Sequence, residues 1–301
     1  MWLLVLLIPG VSRSGSLTIT SDADTTLSEN YPSNNFGGLK FFNSGTTQNH
    51  TRNRGLLHFD LAGALPVHSR IIQGNLTLEV RHVPSADYAF ADFGLYRMLR
   101  AWGEGKGTSP TNSNNAGAGA LALTNEATWY ASFAYTPNWW SIPGAAPIHD
   151  FSPVASSSQT IYGIVDSPYT FAATPLLVSD LQGWLDQPEA NFGWALVCQS
   201  EEVNFTARRF ASHEDPDYAP QLQLDYLVVP VFEAIARAGN GVELHFQTRG
   251  DQAYEVQFSP AASPAAGWTT LTNLAPSGVS GPVVVADTVG SAERFYRLLT
   301  H

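Results

Sequence analysis

Between residues 71 and 82 the chain alternates apolar and polar side chains. Ile72, Leu76, Leu78 and Val80 share the parity that a half-buried strand turns toward a core. The same two-residue period runs through residues 16–20, 39–42, 56–61 and 94–98. Clusters of Asn, Asp, Gly, Pro and Ser separate these runs, and each of those residues favours a turn for its own steric or hydrogen-bonding reason. Many short strands punctuated in this way predict a jelly-roll-like β-sandwich. One segment has another period. Residues 175–185 space Leu177, Leu181 and Leu185 four apart, with Pro175 near the start and Gln187-Pro188 beyond the end, which predicts one short helix.

After residues 221–226, the last strand of the first domain, the pattern restarts. Residues 242–248 and 254–259 read as a hairpin, and 268–271, 283–287 and 294–298 as the remaining strands of a smaller sandwich. The expected organisation is all-β: a sandwich with one short helix over 15–227, then a smaller β-sandwich over 228–301. Residues 103–125, rich in Gly, Ser, Asn and Ala, interrupt the strands as a long loop.

Composition narrows the compartment and the partners. Only 14% of the 301 residues are charged, against 25 glycines and 19 prolines, so long charged helices are excluded. A net charge of −11 argues against nucleic acid and anionic membranes as partners. Trp2–Val11 is an apolar run too short to span a bilayer, and Ser12-Arg13-Ser14 follows it as a small-x-small pattern. Residues 1–14 are therefore expected to be a secretion signal, although no positive residue precedes the run. No second apolar run reaches spanning length, so membrane insertion is not expected. The lone Cys198 lies in an apolar strand and is expected to be a buried, inert thiol.

Three constellations could carry chemistry. Asp22, Asp24 and Glu29, beside the Asn34-Asn35 turn, offer hard oxygen ligands in a loop-rich segment, a candidate structural Ca2+ site set against plain turn chemistry. Glu214, Asp215 and Asp217 form a second acidic group. Trp139 and Trp140 lie between Pro137 and Gly144, and because neighbours on a strand face opposite ways, one indole is expected inside and one free to stack on a sugar. The third constellation is cationic: Arg52 with Arg54, and Arg208 with Arg209, the latter two pointing to opposite faces of a strand. Pairing with the 26 carboxylates is the plain alternative for all of them. No Gly-x-Ser-x-Gly elbow, His-Glu-x-x-His or phosphate loop occurs, so no enzymatic activity is expected.

Short motifs recur in order along residues 19–226. They are Asp22-Ala23-Asp24-Thr25-Thr26, Asn34-Asn35-Phe36-Gly37-Gly38, Arg54-Gly55-Leu56-Leu57-His58-Phe59-Asp60-Leu61, Ala101-Trp102-Gly103-Glu104-Gly105 and Ala127-Thr128-Trp129. Val178-Ser179-Asp180-Leu181-Gln182-Gly183-Trp184, Asn191-Phe192-Gly193-Trp194, Arg209-Phe210-Ala211-Ser212-His213-Glu214 and Ala219-Pro220-Gln221-Leu222 complete them. This order resembles the DNRLRE domain family, also classed as carbohydrate-binding module family 96. The C-terminal segment resembles the small fibronectin-like modules that end many secreted bacterial proteins. The first resemblance implies a secreted, non-catalytic polysaccharide-binding β-sandwich, with core roles for Trp102, Trp129, Trp184 and Trp194. It also implies uronic-acid polymers such as alginate as a ligand class, for which Arg54 and Arg209 best match the motif, although the acidic balance of the chain weighs against a polyuronate and a neutral or mixed glycan is equally compatible. The expected ligand-binding residues are thus Trp139, Trp140, Arg54 and Arg209. The alternative is a structural subunit of a cell-surface, matrix or filament assembly, self-associating through exposed strand edges such as the final Phe-Tyr-Arg-Leu strand.

Overall fold

The computed structural model describes residues 13–84, 90–108, 117–261, 267–288 and 294–300. The apolar run Trp2–Val11 and residues 109–116 of the expected long loop lie outside the described residues. Strands make up 46% of the described residues and helix 6%, so the protein is all-β. Two compact units divide it, one of Ser16–Leu65 and Ile71–Asp225, the other built on Tyr226–His301 together with Pro66–Arg70.

The larger unit opens with β1 (Arg13–Thr20), β2 (Ala23–Ser28), β3 (Asn34–Asn35), β4 (Phe41–Thr46) and β5 (Arg52–His58). Next come β6 (Ser69–Leu78), β7 (Val80–His82), β8 (Ala91–Arg97), β9 (Ala120–Leu121), β10 (Ala131–Phe133) and β11 (Asn138–Trp139). β12 (Ser157–Ile161), β13 (Tyr169–Phe171), α1 (Pro175–Asp186), β14 (Trp194–Cys198), β15 (Arg208–Ala211) and β16 (Gln221–Val228) follow. The main sheet runs β12-β8-β14-β5-β4-β15-β7, with β2 also on β5, and a second sheet runs β1-β16-β6-β13. β14 lies between β8 and β5 and is buried along its whole length, Cys198 included, and burial raises the pKa of that thiol. Trp129, Trp184 and Trp194 are buried, and Trp102 packs half-buried against the core with its indole N–H on the Phe192 carbonyl.

α1 matches the expected helix. Thr174 caps it by accepting the Leu177 N–H, and Pro175 occupies the first turn, where a missing N–H costs nothing. Its buried face is Leu177, Leu181 and Trp184, while Leu185 is only half-buried, because seven residues complete two turns more closely than eight. The parity expected for 71–82 holds only in part. Leu76, Leu78 and Val80 are buried but Ile72 is 47% exposed, and Ile71 is buried instead. The inward face changes parity between Ile71 and Gly74, where Gly74 lies so close to Leu181 that a Cβ would come within 2.3 Å of its Cδ1.

The smaller unit holds β17 (Ala234–Ala238), β18 (Gly241–Thr248), β19 (Tyr254–Ser259), β20 (Thr269–Leu274), β21 (Gly281–Asp287) and β22 (Phe295–Thr300). The hairpin expected from β18 and β19 is not formed. β18 pairs with β17 and β21, whereas β19 pairs with β20 and β22. The chain crosses between two three-stranded sheets at residues 249–253, and Leu244, Phe246, Tyr254, Val256, Tyr296 and Leu298 fill the core between them. Both strands alternate in the same way, so periodicity alone does not tell a hairpin from a crossover.

Candidate functional site

The strongest candidate is a polar cleft of about 370 Å³ on the larger unit. Strand register builds it. On β15, Arg209 lies opposite Asn43 of β4 on one side and His82 of β7 on the other. Cross-strand partners share a face, so three polar side chains stand in a row across the sheet. A second row pairs Asn53 of β5 with Ser28 of β2. The adjacent positions turn the other way: Phe42 and Phe210 are fully buried and stack with ring centroids 5.4 Å apart. Thr47 and Thr51, whose hydroxyls hydrogen-bond at 2.6 Å, brace the β4–β5 turn at the rim. Gly117 closes the cleft beside Arg209. At φ 103, with one guanidinium nitrogen 2.8 Å from where a Cβ would stand, this position suits only glycine.

The charge pattern of the cleft departs from that of the chain. Among the described residues, no carboxylate lines it. Arg209 lies over the Phe41 ring, its Cζ 3.7 Å from the centroid, and its Nε is buried without a hydrogen-bond partner. Burial lowers its pKa. Burial and the nearby Arg209 charge lower that of His82, so the imidazole is neutral at neutral pH. Other arginines are paired: Arg52 with Glu29, Arg54 with Glu201, Arg97 with Asp180 and Arg100 with Asp150. Arg208, fully buried, spends its guanidinium on the carbonyls of Tyr162 and Thr206.

The expected binding residues therefore separate. Arg209 lines the cleft. Arg54 is buried, bidentate to Glu201 at 2.7 and 2.5 Å, and also donates to the carbonyls of Gly144 and Ala145, which makes it a clamp with no group left for a ligand. Trp140 is 4% exposed and donates its indole N–H to the Thr128 carbonyl, whereas Trp139 is 60% exposed. Trp139 lies outside the polar cleft, beside a second hollow. Asn43, Asn53 and His82 were not singled out by sequence reasoning. For Asn43 the signal was strand parity, a polar position next to the buried Phe42, whereas Asn53 lies between Arg52 and Arg54 on a strand buried on both faces and alternation does not mark it.

The candidate metal ligands Asp22, Asp24 and Glu29 each have a separate basic partner. Asp22 meets His58 Nδ1 at 2.8 Å, and its pKa is lowered, the effect of burial being outweighed by the hydrogen bond and charge of His58 together with the backbone amides of Asp22 and Asp60. Glu29 is bidentate to Arg52, which lowers its pKa. Asp24, fully buried, joins a different group. His213 Nδ1 lies 3.3 Å from Asp24 and 3.2 Å from Glu104, and its Nε2 lies 3.2 Å from Glu214. Three motif-bearing segments meet at this imidazole. Burial pushes Asp24 up to about 6 and Glu104 up to about 7, and the Asp24 hydrogen bond with the surrounding carboxylates pushes His213 up to about 9. Ligand atoms of Asp24, His213 and Glu214 lie within 4.8 Å of one another. Calcium takes six to eight oxygens, and a set centred on a ring nitrogen does not fit it. In the second acidic group, Asp215 accepts the Asp217 N–H, which is turn chemistry.

Set against family models and curated proteins, the chain matches none of them. Among the described residues no helix is long and apolar enough to cross a membrane.

Proposed function

We propose that the larger unit is a non-catalytic module that binds an acidic polysaccharide outside the cell, with one uronate carboxylate held by Arg209. The observation that supports this most is the half-buried guanidinium that meets no carboxylate among the described residues, its Nε without a hydrogen-bond partner. Holding such a charge away from water without a counter-ion is costly, and a ligand carboxylate offsets that cost with charge-assisted hydrogen bonds. Asn43, Asn53 and Ser28 present the amides and hydroxyls that bond sugar hydroxyls. The ligand class agrees with the family resemblance, and among the described residues no carboxylate stands in the cleft to serve as the acid or base of glycoside hydrolysis. Neutral glycans would leave the guanidinium unmatched.

Calorimetric titration with alginate, polygalacturonate and a neutral β-glucan tests the proposal. Saturable binding of a polyuronate is expected, with Arg209→Ala weakening it by about ten- to a hundredfold, the range for a hydrogen bond to a charged group. Equal binding of the neutral glucan, or an Arg209→Ala variant that binds as the wild type does, would overturn it.

A further inference from the structure

The polar cleft has an aromatic neighbour. β10 and β11 pair through Ala131 and Trp139, and the turn between them carries Tyr135 in the left-handed region at φ 57. Three rings face solvent there: Tyr135 is 73% exposed, Trp139 60% and Tyr130 41%. Their setting is held from behind. Trp140 is anchored inward by its bond to the Thr128 carbonyl, and Arg100 donates to the Trp139 carbonyl at 2.9 Å while gripping the buried Asp150. The rings border a hollow of about 400 Å³ whose wall also carries Ser33, Thr128 and Thr136.

This hollow and the polar cleft flank one thin ribbon. Tyr31 lines the cleft and Ser33 the hollow, and on the partner segment Gly117 lines the cleft and Ala122 the hollow. β3 and β9 join these positions, paired through Asn34–Leu121 and Asn35–Ala120, with the Ala122 N–H on the Ser33 carbonyl. At about 3.6 Å per residue, the path from Gly117 to Ala122 spans at most ~18 Å, within reach of a short oligosaccharide.

We propose that Trp139, flanked by Tyr130 and Tyr135, is a second subsite for the same acidic glycan, so that the larger unit grips an internal run of sugars rather than a chain end. The proposal rests on the Arg209 reading. One uronate carboxylate pairs with Arg209, and a sugar further along the chain lays its C–H face on the Trp139 indole. Rings interleaved with hydroxyl side chains suit a pyranose, which is apolar on its faces and polar at its edge. The backbone bonds behind Trp139 hold the ring before the ligand arrives, which reduces the ordering cost of binding.

Alginate oligosaccharides from disaccharide to octasaccharide, titrated into wild type, Trp139→Ala and Arg209→Ala, test this. Wild-type affinity is expected to climb with length until the chain spans both subsites. Trp139→Ala is expected to bind the shortest oligomers as the wild type does, and to lose about tenfold for the long ones. Quenching of tryptophan fluorescence by long but not short oligomers, absent in Trp139→Ala, is the second readout. Arg209-dependent binding with the same affinity at every length, or a Trp139→Ala variant indistinguishable at all lengths, overturns the second subsite and leaves the first standing. A Trp139→Ala variant that loses self-association while keeping full glycan affinity also overturns it. Failure of wild type to bind any oligomer overturns both.

Discussion

At the scale of single residues the His213 group is the most unusual chemistry in the chain, and it is a matter of stability. Asp24, Glu104 and Glu214 surround one imidazole, which ties β2, residues 101–105 and the turn after β15 together. His213 has a folded pKa of about 9 against ~6.5 unfolded, so its contribution is full below that lower value and is lost as pH rises through about 9. Asp24 and Glu104 are raised from 3.8 and 4.5 to about 6 and about 7, so they too hold protons more tightly when folded. All three shifts have the same sign, and stability falls with pH across this window. Asp22 and Glu29 are lowered, and their contribution disappears only as pH falls through their folded values. Melting temperature is therefore expected to peak in mildly acid solution and to decline toward pH 9. In His213→Gln the decline above neutrality should flatten, because no imidazole remains to lose its proton. A variant with the wild-type alkaline slope would show that another group controls it.

At the scale of elements, β15 shows how much of the site the chain displays in one dimension. Arg209 and Phe210 are neighbours with opposite duties, and alternation alone separates them. Phe210 is fully buried, stacked on Phe42 and edge-on to Phe93 at 5.9 Å. Phe210→Ala is expected to cost about 3–5 kcal/mol of stability. Arg209→Ala should leave the denaturation midpoint almost unchanged while weakening the glycan, and a large stability loss there would mean the guanidinium holds the fold instead. Much of the architecture was legible in this way: the all-β class, the place and length of α1, and the one-in, one-out arrangement of Trp140 and Trp139. Long-range register was not. His82 shares its parity with the buried Val80, yet a register shift between the partners of Arg209 and Phe210 sets it opposite Arg209. Arg54 and Arg209 looked alike beside their motifs, and only tertiary partners distinguish them: Glu201 reaches Arg54 from 147 residues away, and no carboxylate among the described residues reaches Arg209. The crossover from β18 to β19 escaped for the same reason, since two strands of equal period can pair or part.

At the scale of the whole molecule, an acidic protein that binds an acidic polymer sets two electrostatic effects against each other. The net charge of −11 repels a polyuronate over the screening length, while the Arg209 contact acts at short range in a partly desolvated cleft. Raising salt from about 0.01 to 0.1 M shortens that length from ~30 to ~10 Å, which weakens the distant repulsion more than the buried contact. The association rate is therefore expected to rise over this range. Equilibrium affinity should fall by less than about tenfold, the shallow dependence of a single cationic contact softened by relieved repulsion. Surface plasmon resonance on immobilised alginate across a salt series separates the two quantities. A fall of about a thousandfold would mean that several cations track the polymer. That result would move the ligand from the Arg209 cleft to a basic surface elsewhere, and the lone guanidinium would then need another explanation.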